Sequence, residues 1–120
     1  MSLSEPDHPP SLPDVSVLIA AFRAASVLPR AVHSALASRG VGVEVIVVDD
    51  ASDDATWSVA EGLAQADARV RLARLARNGG PAVARNHALA LASGQWVAVL
   101  DADDAMRPDR LARMIAVAEG

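Results

Sequence analysis

At 120 residues the chain has room for one domain with one sizeable core, and a hydrophobic content of 52% places it among globular proteins. Fifteen acidic against eleven basic residues leave a net charge of −4, which makes no electrostatic case for nucleic acid, and no apolar run reaches the ~20 residues that span a bilayer. With no cysteine, disulfides and thiolate metal sites are excluded; every basic residue apart from histidine is arginine, and lysine is absent.

Residues 1–13 are polar, carry Pro6, Pro9, Pro10 and Pro13, and lack periodicity, so a disordered leader is expected, with Met1-Ser2-Leu3 an addition from expression. Asp14 to Ala21 is nearly all apolar and predicts the first strand, followed by Phe22 and Arg23. A helix is expected from Pro29 to Ser38, with Leu28, Val32, Ala35 and Leu36 on one face. The second strand, Val43 to Val48, runs into Asp49-Asp50-Ala51-Ser52-Asp53-Asp54. A second helix then reaches Ala66, with Ala55, Val59, Leu63 and Ala66 inward.

Val70 to Leu75 alternates with Arg71 and Arg74 and predicts a weaker strand near a sheet edge. Arg77-Asn78-Gly79-Gly80-Pro81 forms a turn into a third helix ending near Ala92. Gly94 precedes a strand from Gln95, whose continuous apolar run reads as buried on both faces. Asp109 to Ala118 is a last helix, with Leu111, Met114, Ile115 and Ala118 inward, and Glu119-Gly120 reads as a second expression addition. Strand and helix alternate with connections too long for hairpins, which predicts right-handed βαβ crossovers and a mainly parallel, Rossmann-like open sheet with helices on both faces. Ligands in such sheets bind beyond the carboxyl ends of the strands.

Three strand ends carry unusual chemistry. At the fourth, Asp101 and Asp103 would point the same way from an extended chain. Like charges so placed suit a hard divalent cation shared with substrate phosphates, or else a solvated acidic turn before the next helix. At the second, Ser52, Asp53 and Asp54 suit a helix cap, whereas Asp50 precedes the cap and suits a ligand contact. At the first, Phe22 offers a face for a planar base or a core side chain. The glycine turn at 78–81 opens a helix amino end of the kind that attracts anions, but neither a P-loop nor a dinucleotide fingerprint is present. Arg85 stands alone on an apolar helix and would need an acidic partner; His33 and His87 read as ordinary surface or core histidines.

Four stretches in register resemble the family 2 inverting glycosyltransferases of the GT-A fold: V-S-V-L-I-A-A-F at 15–22, E-V-I-V-V-D-D-A-S-D-D-A-T at 44–56, N-G-G-P-A-V-A-R-N at 78–86 and W-V-A-V-L-D-A-D-D at 96–104. The resemblance covers most of residues 14–118 and implies a nucleotide-diphospho-sugar donor, with UDP one candidate carrier. It implies Ala20, Phe22, Asp50, Arg85 and Asp101 as donor-binding residues and Asp103, in an Asp-x-Asp motif, as a ligand to Mn²⁺ or Mg²⁺. Ala20 replaces the family's usual proline, Phe22 its tyrosine and Arg23 its asparagine, while Ala88 stands where glycine is common.

The resemblance also implies that residues 14–118 are the donor-binding part of a GT-A domain, truncated after the Asp-x-Asp strand and the following helix. The catalytic base is then expected downstream, this chain alone is expected to be inactive, and the acceptor is unknown. Self-association through the truncated face is expected, as is a cytoplasmic location with any membrane association peripheral and supplied by missing parts. A non-catalytic nucleotide-binding or interaction module is the alternative. A phosphoacceptor receiver domain is a poor fit, because it needs a lysine and an acid pair after the first strand.

Overall fold

The computed structural model describes residues 12–120, so the expected leader lies outside the described residues except for Leu12 and Pro13. The elements run β1 (Val15–Ala21), α1 (Leu28–Leu36), β2 (Val43–Asp49), α2 (Thr56–Ala66), β3 (Val70–Arg74), α3 (Pro81–Leu91), β4 (Trp96–Val99) and α4 (Arg110–Glu119). All strand pairs are parallel and the order is β3-β2-β1-β4, with Val15 opposite both Val43 and Trp96.

The chain steps outward from β1 to β3 and then returns across the sheet to β4. Right-handed crossovers in opposite directions put their helices on opposite faces. Accordingly Val17, Ile19, Val45 and Val47 pack with Leu28, Val32 and Ala35 of α1 and Leu63 of α2, and Leu111 of α4 joins that core. Leu18, Ile46 and Val48 form the other core with Ala84 and Ala88 of α3. In α1 the buried residues Leu28, Ala31, Val32 and Ala35 follow the i, i+3, i+4, i+7 spacing of a helix with one apolar stripe. The alanines of α3 let it lie close on the sheet.

Three expectations are corrected. The fourth strand is not buried on both faces: β4 is an edge strand, and Val97 and Val99 remain 42% and 46% exposed. They share a sheet face with their register partners Ser16 and Leu18, but α3 lies over β1 and β2 instead of β4. The inner face of α2 is Thr56, Ala60 and Leu63, while Ala55 and Ala66 are exposed, because the helix starts at Thr56 and its stripe is rotated accordingly. In α4 only Leu111 is fully buried. Ile115 is half-buried, Met114 and Ala118 are exposed, and Val117 is 81% exposed, since no described element packs on that side.

A polar knot fastens the amino edge of the sheet. Glu44 Oε2 accepts the Ser16 hydroxyl, the Ser93 backbone N–H at 2.7 Å and the Ser93 hydroxyl at 2.9 Å, while Arg71 Nη1 donates to Oε1 at 3.0 Å. Arg71 also donates to the Leu91 carbonyl at 2.7 Å, satisfying an orphan acceptor at the end of α3. Burial alone would raise the Glu44 pKa, but these hydrogen bonds more than offset it and hold the carboxyl at about 2. Gly94 completes the knot by donating its N–H to Ser16 Oγ at 2.8 Å. A Cβ there would sit 2.7 Å from the Ser16 nitrogen, so the close approach of β4 to β1 requires glycine.

Candidate functional site

A cleft of about 550 Å³ opens beyond the carboxyl ends of β1, β2 and β4, where the helices of the two faces diverge. Its lining brings together Ala20, Phe22, Arg23, Asp50, Asn78 and Gly80 with Asp101 and Asp103. Five of the six site residues expected from sequence therefore meet in one place. Arg85 does not: it is half-buried on α3, outside the lining, and the acidic partner expected for it is not found among the ion pairs of the described residues.

Asp50 follows β2 directly and is 2% exposed. Its Oδ1 accepts the Gly79 N–H at 2.8 Å, and its Oδ2 accepts the Gly80 N–H at 2.9 Å and Asn78 Nδ2 at 3.0 Å. The anion that the amino end of α3 attracts is thus the protein's own carboxylate. Gly80, at φ 91°, takes the left-handed backbone that directs these N–H groups toward Asp50. The Asn78 amide is committed through Nδ2 to Asp50, on the carbonyl at 3.2 Å as well as the carboxylate, which leaves Oδ1 as its remaining polar atom.

Asp49, the last residue of β2, has a structural place. It is fully buried, Oδ1 accepts the Ser52 N–H at 3.1 Å, and Oδ2 lies 3.5 Å from Arg74 Nε without a hydrogen bond. The Arg74 guanidinium also lies 5.4 Å from the centre of a Trp57 ring. The cap expected from Ser52, Asp53 and Asp54 divides into three roles. Asp54 accepts both the N–H and the hydroxyl of Thr56 at the start of α2, bonds that lower its pKa. Ser52 Oγ instead accepts the Arg23 N–H at 2.9 Å, and Asp53 binds the Arg23 side chain.

Phe22 is 42% exposed on the cleft, so its ring is a surface element and not a core side chain. Asp101 and Asp103 are also exposed, and neither forms an ion pair among the described residues. They do not lie on an extended strand as expected. The strand ends at Val99, and residues 101–104 form a turn closed by the Asp104 N–H on the Asp101 carbonyl at 3.0 Å. The turn nevertheless keeps both carboxylates on the cleft.

Sequence reasoning placed no ligand role on Asn78 or Arg23. The glycine turn signals a helix amino end in need of an acceptor, but nothing near it in the sequence names Asp50 as that acceptor. Arg23 is legible only in three dimensions, because its partner Asp53 lies on another loop.

The model for "Glycosyl transferase family 2" matches residues 16–120. Among curated proteins, the succinoglycan biosynthesis protein ExoO of Rhizobium meliloti is 50% identical over 115 residues, covering 93% of this chain and 32% of that protein. The putative teichuronic acid biosynthesis glycosyltransferase TuaG of Bacillus subtilis is 38% identical over 103 residues, 86% of this chain and 41% of its own length. Among solved structures, S. aureus TarS 1–349 in complex with UDP superposes with a TM-score of 0.77 at 29% identity, covering 88% of this chain and 32% of that one. The mannosyltransferase PcManGT of Pyrobaculum calidifontis, in complex with GDP-Man and Mn²⁺, gives 0.79 at 28% identity with the same coverage. The chain spans about a third to two fifths of the length of these relatives. A match of this extent, on a parallel sheet with its cleft at the strands' carboxyl ends, makes the chain a member of glycosyl transferase family 2 with the GT-A fold.

Proposed function

We propose that the cleft binds the nucleotide-diphospho-sugar donor of an inverting, metal-assisted glycosyltransferase. The carrying observation is the convergence of an exposed aromatic ring, Phe22, with two carboxylates that form no ion pair among the described residues, Asp101 and Asp103, in the lining of one cleft. The ring suits a nucleobase, and the paired acids suit a diphosphate-bound cation. UDP in TarS and GDP-Man with Mn²⁺ in PcManGT support this chemistry.

The donor set of the cleft fits a hard divalent ion. Two carboxylates offer oxygen ligands, and no group of three or more potential ligands is assembled among the described residues. Such an ion would complete its shell with phosphate oxygens and water, the arrangement Mg²⁺ favours. Asp103, assisted by Asp101, would hold it, and when bound it neutralises charge developing on the leaving diphosphate.

Inversion requires a base to deprotonate the acceptor hydroxyl as it attacks the anomeric carbon. Asp50 is committed to the Asn78–Gly80 loop, and Asp101 and Asp103 to donor and metal. We therefore assign the base to a carboxylate outside this set. In this reading Arg85, which lies outside the cleft lining on α3, joins the donor through a movement that accompanies substrate binding.

Titration of nucleoside diphosphates and their sugar esters, with Mn²⁺ and with chelator, tests the reading. Saturable, Mn²⁺-enhanced binding is expected. No binding of any nucleotide would overturn it, and binding without donor hydrolysis or transfer by the protein would favour a non-catalytic module.

A further inference from the structure

Two neighbouring side chains at the carboxyl end of β1 touch each other in the folded chain: the Arg23 guanidinium lies 4.9 Å from the centre of the Phe22 ring. Asp53 holds the guanidinium there with two parallel bonds, Nε to Oδ1 at 2.9 Å and Nη2 to Oδ2 at 3.0 Å. The backbone beneath is pinned as well. Ser52 Oγ accepts the Arg23 N–H, and Thr56 Oγ1 accepts the Ala24 N–H, both at 2.9 Å. Arg23 adopts φ 50°, a left-handed conformation that asparagine takes more readily than arginine. The arginine side chain is therefore displayed at some conformational cost.

Phenylalanine has no hydroxyl through which its ring could be anchored, and this residue is 42% exposed. A guanidinium on one face supplies a restraint by cation–π attraction, and the two-bond carboxylate fork, although at the surface, orients the guanidinium in turn. We propose that Arg23 and Asp53 are positioning residues for the donor: Asp53 orients Arg23, and Arg23 fixes the Phe22 ring with one face covered and the other open to the nucleobase. This inference rests on the reading that Phe22 stacks on the base.

The sign of one substitution separates positioning from simple electrostatics. Asp53 is an acid near a cleft proposed to take an anion, so neutralising it should tighten binding if only long-range charge mattered. If it acts through Arg23 and Phe22, Asp53→Asn should weaken binding instead. The experiment measures UDP and GDP dissociation constants with Mn²⁺ for the unaltered protein, Phe22→Ala, Asp53→Asn, Arg23→Asn and the double variant Phe22→Ala/Asp53→Asn. Asparagine is chosen at position 23 because it accepts the left-handed backbone. Asp53→Asn and Arg23→Asn should each weaken binding about three- to fivefold, the scale of an exposed cation–π contact. Once the ring is gone, Asp53→Asn should have no further effect, since coupled residues give a non-additive cycle. If Phe22→Ala weakens binding while Asp53→Asn is neutral or tightening, or if its effect is equal in both backgrounds, the positioning role is overturned and the stacking reading stands. If Phe22→Ala leaves both affinities unchanged, the stacking reading fails and the positioning role fails with it.

Discussion

The Asp50 carboxylate accepts the Gly79 N–H at 2.8 Å, and through this bond and its neighbours the end of β2 holds the start of α3. One acid thus both lines the cleft and fixes the loop that forms another part of its lining. Asp50→Asn would turn one acceptor into a donor facing N–H groups, and Asp50→Ala would leave those groups without a partner. Each should lower stability by about 1–3 kcal/mol, the cost of an unsatisfied buried donor, together with nucleotide affinity. Chemical denaturation beside calorimetric titration checks this. An unchanged denaturation midpoint with lost affinity would restrict Asp50 to direct ligand contact.

The cleft's charged lining is three aspartates and one arginine, an unfavourable lining for a diphosphate. Nucleoside diphosphate affinity should therefore be poor in chelator and rise at least about tenfold with Mn²⁺, equivalent to about 1.4 kcal/mol. Asp103→Asn should abolish that gain, and Asp101→Asn should reduce it. Equal affinities with Mn²⁺ and with chelator in the unaltered protein would remove the metal from the proposal.

How much of this was legible in the sequence follows from the range of each signal. The apolar runs at 15–21 and 43–48 exist because β1 and β2 are central strands covered on both sides, so their composition alone identifies them. The run at 96–100 has the same composition but lies at an edge, and composition cannot report which faces a neighbouring helix covers. Asp101 and Asp103 reach the cleft although the strand ends earlier than expected, because a turn keeps them at the same sheet end. The dual position of Asp50 depends on the Asn78–Gly80 loop, about thirty residues away, and that pairing has no local signature.

Acid should weaken the amino edge of the sheet through Glu44. Glu44 has its carboxyl depressed from the ordinary 4.5 to about 2, so its folded form binds the proton less readily than the unfolded chain. Its contribution is therefore fully present above about pH 4.5 and is lost as pH falls toward 2. The contribution is on the order of 3 kcal/mol at neutral pH. Glu44→Gln should lower neutral-pH stability and flatten the slope of stability against pH across that window. Denaturation series between pH 2 and 6 on both proteins measure it. Parallel pH profiles would show that the knot does not depend on the Glu44 charge.

Gly94→Ala tests whether the same knot reaches the site. The added Cβ would meet the Ser16 nitrogen at 2.7 Å, a backbone atom that cannot swing aside, and the preceding Ser93 is tied to Glu44. Relief must come from moving β4 away from β1, which weakens a four-residue edge strand paired on one side only. That strand leads directly to Asp101 and Asp103, whereas Phe22 follows β1 and Asp50 follows β2. The displacement should thus fall on the acid pair more than on the ring. Besides a stability loss of about 1–3 kcal/mol from overpacking, the Mn²⁺-dependent part of nucleotide affinity should drop, while the affinity remaining in chelator changes little. Titrations with Mn²⁺ and with chelator on Gly94→Ala, at a temperature where it stays folded, separate the two. Equal losses in both conditions would mean that the strand shift spreads through the sheet and is not confined to the acid pair.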